Sequence, residues 1–248
     1  MNQIEPKSAV RIAMWSGPRN VSTAMMRSWE NRPDTVVVDE PFYAHYLSRV
    51  PVNHPGRDQI IASQECDWRV VAGNLTGPIP EGKPVYFQKH MSHHLLPHMG
   101  RDWLGDVSNA LLIREPKDAL MSLNMKLDQF SIQETGLPGL VEIFNFVCDQ
   151  QGEPPPVLDS QDLLADPEGM LRKLCDRLQI PFYPSMLSWP PGKRDTDGIW
   201  ARYWYGAVEN SSGFASYKVR GPLPQTLEKH YEECLEYYDI LYKHRIKS

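Results

Sequence analysis

The sequence predicts an α/β protein in which a parallel sheet of about five strands lies between layers of helices. Two observations carry this prediction. Five short apolar runs are bounded by polar or turn residues, which is typical of buried parallel strands. Helical patterns follow the first and the last of these runs, and strands that alternate with helices form parallel sheets covered on both faces.

The predicted strands occupy residues 10–15, 35–39, 84–88, 110–114 and 157–158. A helix is predicted over 21–31, because Val21, Met25, Met26 and Trp29 recur at helical spacing. This places a strand, a loop and a helix in direct succession at the start of the fold.

Two further helices are predicted in the last third of the chain. Over 167–178, Asp166 is a suitable N-cap and Pro167 a suitable first residue. The amphipathic stretch 223–242 is the final predicted helix.

Two segments break the alternation of strands and helices. Residues 42–83 and 185–224 are rich in Pro, Gly or aromatic side chains, and they are predicted to be loops that cover a substrate or cofactor. No linker divides the chain, so we predict one domain over 1–248.

Composition excludes several classes of protein. The chain has 248 residues, 41% hydrophobic and 23% charged, which is enough apolar material for a core. The net charge of −5 argues against non-specific nucleic-acid binding. The four cysteines are widely spaced and predict neither a zinc site nor a disulfide framework. With no signal peptide pattern and no apolar run of about 20 residues, we expect a cytoplasmic protein without membrane contact. No pattern predicts an oligomeric state.

The segment after the first predicted strand has the residues of an anion site. A helix N-terminus presents free backbone N–H groups and the positive end of the helix dipole. Gly17 would allow close approach of the backbone to a ligand, Arg19 adds a positive charge, and Ser22 and Thr23 add hydroxyl donors. The combination favours a phosphate or sulfate group.

The same loop lacks the Gly-Lys pair of the pattern G-x-x-x-x-G-K-[ST], which disfavours a nucleoside triphosphatase. The alternative is an ordinary Gly-Pro turn capped by Asn20, with Arg19 in solvent.

A second anion signature follows the fourth predicted strand. Arg114 lies at the carboxyl end of that strand, where open α/β sheets bind ligands. Pro116 and Asp118 begin a helix, and Ser122 lies one turn further. An arginine can bind a phosphate through two parallel hydrogen bonds, and Ser122 can donate another. The alternative is a surface salt bridge of Arg114.

With these two motifs the sequence resembles the sulfotransferase family, whose members transfer a sulfuryl group from 3′-phosphoadenosine 5′-phosphosulfate (PAPS). The segment SGPRNVST is similar to the family's first loop. The segment from Arg114 to Ser122 matches the family pattern R-x-P-x-D-x-x-x-S at every specified position, and LLADPEGMLRKLCDRLQIPF resembles a late helix of the family. The resemblance is greater to carbohydrate-type and bacterial members than to cytosolic aryl members. It implies a three-layer fold like that of P-loop nucleotide hydrolases.

The resemblance also implies the cofactor and the residues that bind it. PAPS would be the cofactor, PAP its product, and no metal is expected. The 3′-phosphate would bind Arg114 and Ser122. Lys218 and Arg220 stand near the place of a missing G-x-x-G-x-W-K element and are predicted to contact the same phosphate. The first loop would hold the 5′-phosphosulfate through Gly17, Pro18, Arg19, Asn20, Val21, Ser22 and Thr23.

Sulfuryl transfer needs a base for the acceptor's proton and cations that stabilise the leaving phosphate. Arg19 would supply such a cation where the family usually has Lys. The base must lie at the carboxyl end of a strand, near the first loop. Glu40 and His90 both fit this position. The resemblance implies Glu40 as first choice and His90 as reserve, with Lys89 stabilising the sulfuryl oxygens. A capping or salt-bridge role is the alternative for Glu40.

Three more histidines, His93, His94 and His98, follow the third predicted strand. Surface or capping roles are favoured over metal binding, since no carboxylate pattern accompanies them.

We therefore predict a sulfotransferase that moves a sulfuryl group from PAPS to a hydroxyl or amine. The acceptor would be a small molecule or a carbohydrate. Two alternatives remain open: a kinase-like phosphotransferase that uses a nucleotide, and a non-catalytic protein that binds PAP or a nucleotide on the same scaffold. The residues do not choose among a sugar, a small alcohol and an amine as acceptor.

Overall fold

The computed structural model describes residues 9–52, 54–127 and 129–247. Its centre is one sheet of parallel strands, adjacent in the order β2-β3-β1-β4-β5. The strands are β1 (Val10–Ser16), β2 (Thr35–Asp39), β3 (Val85–Met91), β4 (Ser108–Ile113) and β5 (Val157–Asp159). The predicted α/β fold with about five parallel strands is confirmed.

Helices cover both faces of this sheet. The described residues form α1 (Ser22–Glu30), α2 (Tyr43–Arg49), α3 (Arg57–Ser63), α4 (Trp68–Thr76), α5 (Pro116–Asn124), α6 (Leu137–Gln151), α7 (Ser160–Ala165), α8 (Pro167–Arg177), α9 (Ala201–Trp204), α10 (Gly206–Glu209) and α11 (Glu228–Tyr242). The final helix starts five residues later than predicted, after a 3₁₀ turn over Gln225–Leu227. Pro224 caps that turn, and the residue before a proline avoids helical backbone angles.

The core lies on the two faces of the sheet because successive side chains of a strand point to opposite faces. From β1, Ile12 and Met14 pack with α1 and α8, whereas Ala13 and Trp15 pack with α4, α6 and α11. Each residue of this alternation is buried, so β1 is the central strand of a three-layer structure.

The strand order fixes where a site can form. β1 lies between β3 and β4, so the loop after β1 is flanked by the carboxyl ends of both neighbours. Open α/β sheets bind ligands at such a position.

The segment 42–83 is more regular than predicted, because it holds α2, α3 and α4 rather than loops. One connection runs between α2 and α3, and another leads from α4 through a 3₁₀ turn over Pro80–Gly82 into β3. Tyr43, Leu47 and Ile60 form a separate apolar cluster with Trp200 and Tyr205 of the segment 185–224. The two segments predicted to cover the site therefore pack against each other. None of the described helices is both long and apolar enough to cross a membrane.

Candidate active site

A cavity of about 680 Å³ opens over the carboxyl ends of β1 to β4. One end, which we call the cationic end, is lined by Arg19, Arg114, Lys218 and Arg220. The other end, the aromatic end, is lined by Tyr43, Tyr46, His54, His93, His94 and Trp204. Apart from Gly17, the predicted residues of the first loop thus meet Arg114 and Ser122 of the second motif in one cavity.

The loop after β1 keeps the start of α1 open. Arg19 and Val21 have left-handed backbone angles, with φ of 67° and 57°. Val21 is the N-cap of α1 and makes no side-chain cap hydrogen bond. Ser22, Thr23 and the following Ala24 line the cavity, so the N–H groups of the first helical turn remain for a ligand.

The loop after β1 is joined to the second motif by two hydrogen bonds. Arg114 Nη1 donates to the carbonyl oxygen of Arg19 at 2.6 Å, and Arg19 Nε donates to Ser122 Oγ at 2.9 Å. The two hydrogen bonds thereby connect parts of the chain that are 95 and 103 residues apart in sequence.

Two arginines at the cationic end share one buried carboxylate, that of Asp118. Asp118 lies 3.7 Å from Arg114 and 3.8 Å from Arg220. Its Oδ2 has no hydrogen-bond partner among the described residues. Burial, then the charges of Arg114 and Arg220, lower the pKa of Arg19. An arginine keeps its charge despite such a shift, so the cationic end has a net positive charge that attracts anions.

Two residues of the first loop have structural contacts that the sequence did not reveal. A Cβ added at Gly17 would overlap the carbonyl oxygen of Thr135, so the glycine admits a neighbouring loop rather than a ligand. The amide of Asn20 donates to the carbonyl oxygen of Leu112 at 3.1 Å and fixes the loop to β4. Pro18 and Asn20 also line the cavity, whereas Gly17 is not among its lining residues.

Between the two ends lies a buried cluster of four polar side chains. Lys89 Nζ donates to Asp39 Oδ1 at 2.8 Å, to Glu40 Oε1 at 2.5 Å and to the hydroxyl of Tyr205 at 2.8 Å. These contacts use all three N–H donors of the ammonium. Lys89 is only 1% exposed, so its charge is compensated inside the protein.

Glu40 is the member of this cluster that presents a free carboxylate oxygen. The backbone of Glu40 has a left-handed φ of 42°, and its N–H donates to the carbonyl oxygen of Lys89 at 2.8 Å. Oε1 accepts from Lys89, while Oε2 lies 4.0 Å from His94 Nδ1. Such a backbone strain is typical of functional positions.

The protonation of the cluster is set by burial and by its charges. Burial raises the pKa of Glu40, and this effect outweighs the opposite pull of Lys89, with Asp39 adding to the rise. Burial alone would lower the pKa of Lys89, but the two carboxylates raise it above its ordinary value. Glu40 is therefore a stronger base than an exposed glutamate.

His90, the reserve base, lies away from the cavity. It is the residue after Lys89 in β3, so its side chain points to the opposite face of the sheet. It stacks on Trp15 at 4.3 Å and on Phe42 at 5.6 Å between ring centroids. Burial, then the charge of Lys89, lowers its pKa to about 3. The structure brings Glu40 and Lys89 to the site, and it does not bring His90.

The aromatic end contains neutral imidazoles. His94 stacks on Tyr43 at 4.4 Å and on Tyr46 at 4.8 Å between ring centroids. Burial lowers the pKa of His93 to about 4 and that of His94 well below its ordinary value. His54 Nε2 contacts the hydroxyl of Tyr43 and accepts from Trp204 Nε1 at 3.1 Å. Within the described ranges, no three His, Cys, Asp or Glu side chains are grouped as a metal site.

Sequence reasoning missed the partners of the predicted base. Asp39 adjoins Glu40, but only the fold shows that it shares Lys89, and Tyr205 comes from a segment that was assigned only to cover the cavity. For Asp118, a fixed position of the second motif, the sequence analysis predicted no contact. Its place one helical turn from Arg114 could have indicated the ion pair.

Comparisons with known proteins agree with this geometry. A family model described as the sulfotransferase domain matches residues 10–245. A sulfotransferase from Alicyclobacillus acidocaldarius has a similar fold, with a TM-score of 0.52 over 96% of this chain and 98% of that one at 11% identity. A sulfotransferase domain from the curacin biosynthetic pathway gives 0.50 over 92% and 98% at 13% identity.

A curated relative from Arabidopsis thaliana has a different kind of name. Branched-chain-amino-acid aminotransferase-like protein 2 is 40% identical over 239 residues, which are 94% of this chain and 41% of the relative. The chain thus spans about two fifths of the length of that relative.

The parallel sheet, the open loop after β1 and the arginine motif match a sulfotransferase-type α/β domain. The chain belongs to the sulfotransferase domain family.

Proposed function

We propose that this protein is a PAPS-dependent sulfotransferase with Glu40 as its base. One observation carries the proposal: the loop after β1, the second motif and Glu40 open into the same cavity. Anion-binding groups and a buried carboxylate then face each other across the space that a reacting sulfuryl group would need.

The cationic end fits a ligand with two separate phosphate-type groups. The first turn of α1, without a side-chain cap, suits one group. Arg114 and Ser122, with Lys218 and Arg220 from the segment 185–224, suit the other. When bound, PAPS would supply the sulfuryl group that is transferred.

The residues of the chain would act on the acceptor and on the developing charge. Glu40 Oε2 would take the proton of the acceptor hydroxyl or amine. Arg19 and the N–H groups of Ser22 and Thr23 would stabilise negative charge on the leaving phosphate. Arg19 acts here as a fixed charge, because an arginine does not give up its proton.

The structure suggests a different role for Lys89 from the one the resemblance implied. All three of its donors are engaged by Asp39, Glu40 and Tyr205, so it is not free to bind sulfuryl oxygens. We assign Lys89 to holding the carboxylate of Glu40 in place.

Calorimetric titration with PAP, with ATP and magnesium as the comparison, tests the proposal. We expect micromolar PAP affinity, weakened about 10- to 100-fold in Arg114→Ala, since a hydrogen bond to a charged group contributes about 1.5–3 kcal/mol. Arg172→Ala is the matched control, because Arg172 is exposed on α8, pairs with Glu168 and lies over the ring of Phe182, and it is not a cavity-lining residue. Absence of PAP binding, or preference for magnesium-ATP, would reject the proposal. PAP binding without turnover would favour a non-catalytic nucleotide-binding protein.

A further inference from the structure

The cluster around Lys89 contains two residues that the proposed reaction does not yet use. Asp39 and Tyr205 are both buried, and of the two only Tyr205 is among the described residues that line the cavity. Their contacts with the base and its lysine nevertheless determine the environment in which Glu40 must work.

Asp39 accepts hydrogen bonds from more donors than Glu40 does. It accepts from Lys89 at 2.8 Å, from the hydroxyl of Tyr205 at 2.7 Å and from the backbone N–H of Gly198 at 3.1 Å. Glu40 receives one short bond, from Lys89, and a longer one of 3.4 Å from Tyr205. Two carboxylates thus share one ammonium, and Asp39 is the one with more hydrogen bonds from protein donors.

Tyr205 connects the segment 185–224 to this competition. Its hydroxyl donates to Asp39 and accepts from Lys89 at 2.8 Å and from Trp200 Nε1 at 3.2 Å. Burial, then the charges of Asp39 and Glu40, raise the pKa of Tyr205 well above its ordinary value, so the hydroxyl keeps its proton.

We propose that Asp39 and Tyr205 are positioning residues for Glu40, and that Tyr205 couples the segment over the cavity to the base. Asp39 shares the ammonium of Lys89 with Glu40, whereas Tyr205 donates its hydroxyl proton to Asp39 and so reduces the demand of Asp39 on that ammonium. The inference rests on the proposed role of Glu40 as base.

The two residues should therefore change the titration of Glu40 in opposite directions. Asp39→Asn removes a negative charge beside Glu40 and leaves Lys89 to pair with Glu40, so the pKa of Glu40 falls. Tyr205→Phe removes the hydroxyl that donates to Asp39 and lies 3.4 Å from Glu40 Oε1, so Asp39 takes a larger share of the Lys89 ammonium and the pKa of Glu40 rises. The other groups facing Glu40, namely His94 at 4.0 Å and Tyr43 on α2, are the same in both variants.

The test is a carbon-13 NMR titration of the glutamate side-chain carboxyl groups in the full chain without ligand. Subtraction of the Glu40→Gln spectrum identifies the Glu40 resonance. We expect opposite shifts of at least about half a pH unit in Asp39→Asn and Tyr205→Phe. Tyr203→Phe is the matched control on the same segment, because Tyr203 is outside the cluster, and it should leave the titration unchanged.

Shifts in the same direction, or no shift in either variant, would overturn the inference. If Asp39→Asn does not fold, Tyr205→Phe alone decides by the sign of its shift, since it keeps the aromatic ring in place. The readout needs neither PAP nor an acceptor, so loss of the PAP titration would reject the proposed function without affecting this result.

Discussion

Arg114 Nη1 donates to the carbonyl oxygen of Arg19 at 2.6 Å and thereby joins the loop after β1 to the start of α5. The same guanidinium lies 3.7 Å from Asp118 through Nη2. Arg114 therefore shapes the loop after β1 as well as contributing charge to it. Both roles need a planar group with several donors, which lysine does not have.

Arg114→Lys should weaken PAP binding even though it preserves the charge. A lysine ammonium cannot reach the Arg19 carbonyl oxygen and a ligand phosphate with the same fixed geometry. We expect a roughly 10-fold rise in the dissociation constant, measured by calorimetry. Arg172→Lys should leave the affinity unchanged. Wild-type affinity in Arg114→Lys would show that charge alone accounts for the role of Arg114.

Gly17→Ala should destabilise the protein in the absence of any ligand. The new Cβ would overlap the carbonyl oxygen of Thr135, which is backbone and cannot rotate away. Overpacking of this kind costs about 1–3 kcal/mol, and for a chain of this size each kcal/mol lowers the melting temperature by about 2–4 °C. Differential scanning calorimetry measures the change.

The control for this substitution is Gly73→Ala. Gly73 lies exposed within α4, and an added Cβ there would meet nothing within 4 Å. Alanine favours a helix interior over glycine by about 0.5–1 kcal/mol, so this variant should melt at or above the wild-type temperature. If Gly17→Ala had the melting temperature of the wild type, the steric role of Gly17 would be excluded, and close approach of its backbone to a ligand would be favoured.

The sequence predicted the sheet and much of the cavity because local patterns encode them. Apolar runs mark β1 to β5, and the second motif marks Arg114 at the end of β4 and Ser122 within α5, which both line the cavity. Contacts between distant segments left no local pattern. Tyr205 meets Asp39 from 166 residues away, and the overlap at Gly17 depends on a loop that arrives only after β4 and α5.

The sequence alone could have excluded His90 as the reserve base. Lys89 and His90 are neighbours in a predicted strand, and neighbouring side chains in a strand point to opposite faces. If Lys89 reaches the site beside Glu40, His90 must point into the opposite layer, where it stacks on Trp15. The alternation rule therefore favours Glu40 over His90 without a structure.

Glu40→Gln should abolish most turnover while it preserves PAP binding. The amide cannot take a proton, and loss of a general base lowers kcat by about 10²- to 10⁴-fold. With PAPS and 4-ethylphenol as acceptor, we expect this loss in kcat and a PAP affinity within about threefold of wild type. Glu134→Gln, which changes another carboxylate of the cavity, should keep kcat with this neutral acceptor. Unchanged turnover in Glu40→Gln would exclude Glu40 as the base.

The activity of the wild type should fall on acidification at a higher pH than an ordinary glutamate titrates. Burial raises the pKa of Glu40, and only its deprotonated form accepts the acceptor's proton. The acidic limb of kcat/KM against pH should therefore lie above the usual pKa of about 4.3 for glutamate. A limb at or below that value would contradict the assignment.

The acceptor should be neutral or positively charged rather than anionic. Glu40 and Glu134 are the only carboxylates among the described residues that line the cavity, and Lys89 is committed to the buried cluster. Glu134 lies near the aromatic end, since its charge adds to the rise that burial causes in the pKa of Tyr46. The histidines there are neutral because burial lowers their pKa values. Two like charges about 7 Å apart repel by about 2 kcal/mol at an effective dielectric of 20.

Among three matched phenols, we expect kcat/KM for 3-(4-hydroxyphenyl)propionate to be at least about 10-fold below that for 4-ethylphenol, with tyramine equal to or above the neutral compound. Glu134→Gln should reduce the difference between the charged compounds, whereas a preference for the carboxylate in the wild type would contradict this account of the aromatic end.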